Sequence, residues 1–264
     1  MGIFESGVGG LTVLRSCLSA LSAGDFVYFG DTDRFPYGDR SDDDLRDRAR
    51  AVGTWLTDQG AKIIVVACNT ASAAALGTLQ TEMSLPVIGV MAPEARAAVQ
   101  STRNRRIGLM ATEATVRSGS YERLILDIDA GVDVTSVACP ALAPAIQRAE
   151  PYDDEIVRLV EEYTAPLREG GVDTVILGCT HYPLVEHLLR RMLPGVTLIS
   201  SGEEIAREVT ENLTRRELER SDRLGEYRFA CSGDAGAFRS FGAMFLQMPL
   251  GRIDEVDPSR LLAR

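Results

Sequence analysis

Thr174-Val175-Ile176-Leu177-Gly178-Cys179-Thr180-His181-Tyr182-Pro183 is the stretch whose reading decides the fold. A short apolar run stops at a glycine, a thiol, a hydroxyl and an imidazole. Such a run predicts a strand buried in a parallel sheet, with an active edge at its carboxyl end. The stretch has a twin, Ile63-Ile64-Val65-Val66-Ala67-Cys68-Asn69-Thr70-Ala71-Ser72. There too an apolar run ends in a thiol followed by hydrogen-bonding side chains. The rest of the chain reads as a scaffold that holds Cys68 and Cys179 opposite each other.

Working outward from the twin runs, strands and helices alternate. Gly2-Ile3-Phe4 is a strand, Glu5 to Gly10 a glycine-rich turn, and Leu11 to Leu21 a helix. This shape presents backbone N–H groups at a helix N-terminus. It lacks G-x-G-x-x-G, and no G-K-[ST] follows, so it supports neither a dinucleotide nor a Walker site. Phe26 to Phe29 is the next strand, followed by Gly30-Asp31-Thr32 and an aromatic–proline loop, Asp33 to Gly38. Ser41 caps a helix reaching about Gln59, and Asp42 to Asp44 are its first-turn charges rather than metal ligands. The strand before Cys68 leads into an Ala-rich helix to about Glu82, and Leu85 to Val90 is another strand.

The pattern restarts at Arg106-Ile107-Gly108-Leu109-Met110, with a polar loop carrying Thr112 and Thr115 and a helix near Tyr121. Each half opens on a Gly-apolar strand and closes on a strand-end cysteine after a similar interval, which suggests an internal duplication. After Val196 to Ile199 come a turn at Ser200-Ser201-Gly202, a helix from Glu203 to about Arg215, a strand at Tyr227–Cys231 and a helix at Ala235–Leu246. These late elements are expected to return to the first half. The reading is α/β: two pseudo-symmetric α/β domains with mainly parallel sheets and the active site in the cleft between them. The expected domains are 1–91 with 203–264 on the Cys68 side, and 92–202 on the Cys179 side.

Composition narrows the function. The 264 residues carry a net charge of −10, with 45% hydrophobic and 25% charged residues. That acidity argues against nucleic acid or an acidic membrane surface as partner. Arg103-Asn104-Arg105-Arg106 reads as a solvated turn. No apolar run reaches the roughly 18 residues of a membrane span, and no signal segment opens the chain. The five cysteines, Cys17, Cys68, Cys139, Cys179 and Cys231, form no C-x-x-C, which fits reduced thiols in a cytoplasm. With only His181 and His187 and no paired-ligand spacing, neither zinc nor another metal is expected. His187 sits within a helix and reads as structural or surface.

Two thiols on opposite walls suit a racemase that needs no cofactor. One base removes the Cα proton and a conjugate acid returns a proton on the other face. Each cysteine precedes an expected helix start, whose dipole should lower its pKa toward neutrality. Ser6, Asn69, Thr70 and Thr180 are donors suited to carboxylates and an ammonium. Glu5 and His181 are placed to assist one thiol each.

Five ordered motifs carry a resemblance over residues 2 to about 250. They are Glu5-Ser6-Gly7-Val8-Gly9-Gly10-Leu11-Thr12-Val13; Gly30-Asp31-Thr32 with Pro36-Tyr37-Gly38; Val66-Ala67-Cys68-Asn69-Thr70-Ala71-Ser72; Ala114-Thr115-Val116-Arg117-Ser118-Gly119; and Leu177-Gly178-Cys179-Thr180-His181-Tyr182-Pro183. With these the chain resembles the bacterial glutamate racemases. The resemblance implies cofactor-independent interconversion of L- and D-glutamate, supplying D-glutamate for peptidoglycan, usually by a homodimer. It implies that Cys68 takes the proton from D-glutamate and Cys179 from L-glutamate. Glu5 and His181 assist, and Ser6, Tyr37, Gly38, Asn69, Thr70, Thr115 and Thr180 hold the substrate. The chain departs from the family at Glu5, where Asp is usual, at Gln147, where Glu is common, and at Ala92-Pro93-Glu94 in place of Glu-Pro-Gly. The added methylene of Glu5 displaces the carboxylate by about 1 Å, a scale that can cost on the order of 100-fold in rate. Two other readings share the scaffold. One is a racemase for another acidic amino acid such as aspartate. The other is a weakly active binding or regulatory protein, as in family members said to restrain DNA gyrase.

Overall fold

The structure is a computed structural model that describes residues 1–148, 153–219, 223–257 and 261. The chain divides into two compact units, Met1–Val90 with Gly202–Arg264, and Met91–Ser201. In chain order the elements are β1 (Gly2–Glu5), α1 (Leu11–Ala20), β2 (Phe26–Gly30), α2 (Asp42–Asp58), β3 (Ile64–Val66), α3 (Asn69–Glu82) and β4 (Val87–Gly89). There follow α4 (Met91–Ser101), β5 (Arg106–Ala111), α5 (Glu113–Ser118), α6 (Ser120–Ile128), β6 (Asp133–Ala138), α7 (Leu142–Arg148), α8 (Asp154–Glu169), β7 (Thr174–Gly178), α9 (Glu186–Met192) and β8 (Thr197–Ile199). The chain closes with α10 (Ser201–Arg215), β9 (Tyr227–Cys231), α11 (Ala235–Leu246) and β10 (Ile253–Glu255).

The first unit holds a sheet of order β10-β9-β2-β1-β3-β4, and the second a sheet of order β6-β5-β7-β8. Every pairing in both is parallel. The α/β class read from the alternation therefore holds. Within each unit the same pattern recurs: β2-β1-β3-β4 in one, β6-β5-β7-β8 in the other. β3 and β7, the strands that end at Cys68 and Cys179, occupy the same place in it.

Strands packed on both faces need continuous apolar sequence, and β1, β2, β3 and β7 are buried along their whole length. β6 is different. Its sequence is Asp-Val-Thr-Ser-Val-Ala, it lies at a sheet edge, and none of its residues is fully buried. Periodicity gave no sign of it for that reason. The first core packs Phe4, Phe29, Val66 and Val52 with Leu45, Leu56 and Leu79 from α2 and α3. Ser41 caps α2 by accepting from the Asp44 N–H at 3.3 Å, and Asp42, Asp43 and Asp44 form its first turn. Among the described residues no helix is long and apolar enough to cross a membrane. The segment 103–106 is exposed and His187 is exposed on α9.

Candidate active site

In the first unit the register aligns the carboxyl ends of the central strands. Glu5 pairs with Gly30, Phe4 with Val66, and Gly30 with Cys231. The residues that follow, Ser6, Asp31, Ala67-Cys68 and Ser232, therefore share one sheet edge. The glycine turn after Glu5 is held where the Tyr28 hydroxyl donates to the Gly7 carbonyl at 3.0 Å. Gly10 closes the turn against Glu5: a Cβ there would lie 2.8 Å from the Glu5 Cβ.

Cys68 is the N-cap of α3, its Sγ accepting from the Ala71 N–H at 3.4 Å. The thiol also donates to the Ser6 Oγ at 3.6 Å, and Ser6 donates to the Glu5 Oε1 at 2.7 Å. Ser6 thus lies between thiol and carboxylate, and the three groups form a chain along which a proton can pass. Glu5, Ser6 and Cys68 are all buried, as are Asn69 and Thr70 in the first turn of α3. The expectation that the helix start lowers this thiol is corrected. Burial, reinforced by the Glu5 charge, pushes the Cys68 thiol up to about 12, against the pull of the Ala71 and Ser6 hydrogen bonds. Here desolvation outweighs the helix end, and Cys68 rests as a thiol.

Tyr37 and Gly38 lie in a short helical turn, Tyr37–Asp39, after β2. The Tyr37 ring sits edge-on to Phe4, with centroids 6.3 Å apart. Its hydroxyl donates to the Asp31 Oδ2 at 2.6 Å. Burial first, then the Asp31 carboxylate, holds that hydroxyl protonated well above the ordinary tyrosine range.

In the second unit β5, β6 and β7 end level, with Ala111 opposite both Ala138 and Gly178. Thr112 caps α5, accepting from the Thr115 N–H at 3.3 Å, and the two threonine hydroxyls lie 3.0 Å apart. Cys179 follows β7 with its Sγ 3.8 Å from the His181 Nδ1, and the His181 Nε2 lies 3.0 Å from the Gln147 Oε1. The amide oxygen accepts, so the Nε2 carries the proton and the Nδ1 is left to accept from the Cys179 thiol. Burial lowers the His181 pKa to about 3, so its resting form is neutral. Cys179, Thr180 and His181 are buried. No α-helix begins at once after Cys179. A short helical turn, Tyr182–Val185, with Pro183 among its first residues, comes first, and α9 follows from Glu186.

Glu5, Ser6, Cys68, Asn69 and Thr70 thus gather at one sheet edge, with Tyr37 and Gly38 on the adjoining loop. Thr115, Cys179, Thr180 and His181 gather at the equivalent edge of the other sheet. Residue patterns alone missed the pairing of Gln147 with His181 and the Arg48 ion pair with Asp31. Both reach the site from helices, and no spacing rule links them to it. Among the described residues no group of three His, Cys, Asp or Glu side chains is arranged to hold a metal.

Similarity to known proteins points the same way. The Asp/Glu/Hydantoin racemase family matches over residues 6–209. A glutamate racemase of Geobacter metallireducens is 42% identical over 259 residues, which are 97% of this chain and 96% of the relative. The crystal structure of a glutamate racemase isoform of Bacillus anthracis is similar with a TM-score of 0.94, at 36% identity and covering 97% of each chain. That of the Francisella tularensis glutamate racemase in complex with D-glutamate is similar with a TM-score of 0.91, at 31% identity, covering 97% of this chain and 96% of the other.

Proposed function

The chain belongs to the Asp/Glu/Hydantoin racemase family, and on that premise we propose that it interconverts L- and D-glutamate with two cysteines and no cofactor. The observation that carries the reading is the repeated placement of a buried thiol. Cys68 and Cys179 follow the same strand of the same four-strand pattern, each in hydrogen-bond contact with a polar side chain. The similarity to glutamate racemases extends over nearly the whole chain. The substrate is held by Ser6, Tyr37, Gly38, Asn69, Thr70, Thr115 and Thr180.

From L-glutamate, Cys179 enters as the thiolate and takes the Cα proton, and the His181 Nδ1 accepts a hydrogen bond from the thiol so formed. The electron pair left at Cα takes a proton from the Cys68 thiol on the other face, giving D-glutamate and a Cys68 thiolate. Burial keeps Cys68 protonated until then, which is the state a proton donor needs. From D-glutamate, the Cys68 proton passes through Ser6 to Glu5, and Cys179 is the donor. We assign the product to peptidoglycan synthesis, the location to the cytoplasm and the working form to a homodimer.

Incubation with L-glutamate in heavy water, following optical rotation and the Cα proton together, tests the proposal. Rotation should fall to zero while deuterium enters Cα. Neither change with glutamate, and both with aspartate, would transfer the assignment to aspartate. Binding of glutamate with no change in either signal would leave a scaffold without the activity.

A further inference from the structure

Beneath the loop that carries Tyr37 lies a buried ion pair to which neither thiol contributes. Asp31, the residue after β2, is fully buried, and Arg48 from the middle of α2 is only 2% exposed. The guanidinium grips both carboxylate oxygens, Nε to Oδ2 at 2.7 Å and Nη2 to Oδ1 at 2.5 Å. Asp31 then takes two more donors, the Tyr37 hydroxyl at 2.6 Å on Oδ2 and the Ser232 hydroxyl at 2.7 Å on Oδ1. Ser232 follows β9 and accepts from the Asp33 N–H at 3.1 Å, and the Gly233 N–H donates to the Thr32 hydroxyl at 3.1 Å. A Cβ at Gly233 would lie 2.8 Å from that hydroxyl, so the close approach needs glycine.

Burying two charges costs stability unless their geometry and remaining hydrogen bonds are nearly complete. Here one guanidinium nitrogen, Arg48 Nη1, is buried with no hydrogen-bond partner among the described residues. The pair is therefore weak evidence for a stability role. Its outward contacts lead to one place, the loop from Thr32 to Gly38.

We propose that Asp31, fixed by Arg48 and Ser232, is a positioning residue that sets the Tyr37–Gly38 loop for substrate, and that the Tyr37 hydroxyl belongs to Asp31 and not to the substrate. Tyr37 and Gly38 then meet a substrate carboxylate through the loop backbone. The strand that returns late in the chain reaches Asp31 through the Ser232 hydroxyl. This rests on the reading of that loop as part of a glutamate site.

Tyr37→Phe and Ser232→Ala each delete one hydroxyl and leave the ion pair paired. Both variants and the double variant are assayed with L- and D-glutamate, and amide exchange is followed over residues 32–40 of the free protein. Each single change should raise KM for both enantiomers, about 10-fold for Tyr37→Phe, as expected for a hydrogen bond to a charged group. The kcat should stay within about twofold, and the double variant should be little worse than Tyr37→Phe alone, because both hydroxyls act through Asp31. Exchange over 32–40 should quicken in both. Additive effects on KM, or Ser232→Ala leaving KM and exchange at parent values, would overturn the proposal. If the parent protein turns over no glutamate, the substrate reading falls by itself and the exchange data still decide whether Asp31 holds the loop.

Discussion

Cys68 and Cys179 are both buried but are handled differently by their neighbours. Cys68 leans on a hydroxyl that leans on a carboxylate, and Cys179 leans on a neutral imidazole. The two can therefore be separated by mutation. Cys68→Ala should lower racemisation by at least about 100-fold, the low end for loss of a general acid or base. It should still exchange the Cα proton of L-glutamate, which needs only Cys179. Proton NMR in heavy water reads both events, and racemisation at the parent rate would sink the two-base reading. His181 gives a pH prediction. Its pKa is about 3 when folded and about 6.5 when unfolded, so between those values only the unfolded chain binds the proton. The stability this contributes is complete above about pH 6.5 and is lost as pH falls toward 3, by up to about 1.4 kcal/mol per unit. Urea midpoints at about pH 7 and about pH 5 should therefore differ less in His181→Gln than in the parent. Equal differences would mean that His181 is not buried neutral.

At the scale of the element, the turns at strand ends carry the chemistry, and the turn between β1 and α1 shows how. Gly10 has φ −62° and ψ −9°, which alanine adopts without strain. What alanine cannot do there is avoid Glu5, whose Cβ would lie 2.8 Å from the new methyl and whose Oε2 3.0 Å. Gly10→Ala should keep the fold and move the carboxylate, lowering kcat on the order of 100-fold for a shift of about 1 Å. An unchanged kcat for the D-to-L direction would show that the Glu5 carboxylate does not serve Cys68. The thiols themselves were legible, because a buried parallel strand must be apolar and must stop where polar chemistry begins. The state of Cys68 was not. Sequence shows that a helix follows the thiol, but only the packing around it shows that desolvation outweighs the helix end. The same limit hid the turn after Cys179, where a short tight turn at Tyr182–Val185 comes before α9.

At the scale of the whole molecule, the first sheet is completed by chain that arrives late. β9 pairs with β2 over five positions, from Phe26 with Tyr227 to Gly30 with Cys231, and β10 pairs in turn with β9. The parallel class and the late strand and helix were readable from apolar runs bounded by glycine and polar turns. The partner of β9 was not, since nothing in Tyr227–Cys231 names β2 over any other edge. The aromatic contacts that settle it are long-range: Phe26 with Tyr227 and Tyr28 with Phe238, each pair with ring centroids 6.0 Å apart. Phe238, Phe245, Ile205 and Val209 are buried and come from the same late segment. A chain ending at residue 201 would leave β2 as an unpaired apolar edge, a template for aggregation, and would strip α1 of its contact with α11. The continuous fragment 91–201 carries its own sheet, β6-β5-β7-β8, and lacks no strand of it. Expressed separately, 1–201 should be insoluble and 91–201 should be soluble with an α/β circular dichroism spectrum. A soluble, cooperatively unfolding 1–201 would show that the first four strands form a stable sheet without β9, and that the late segment serves the site through Ser232 more than it serves the fold.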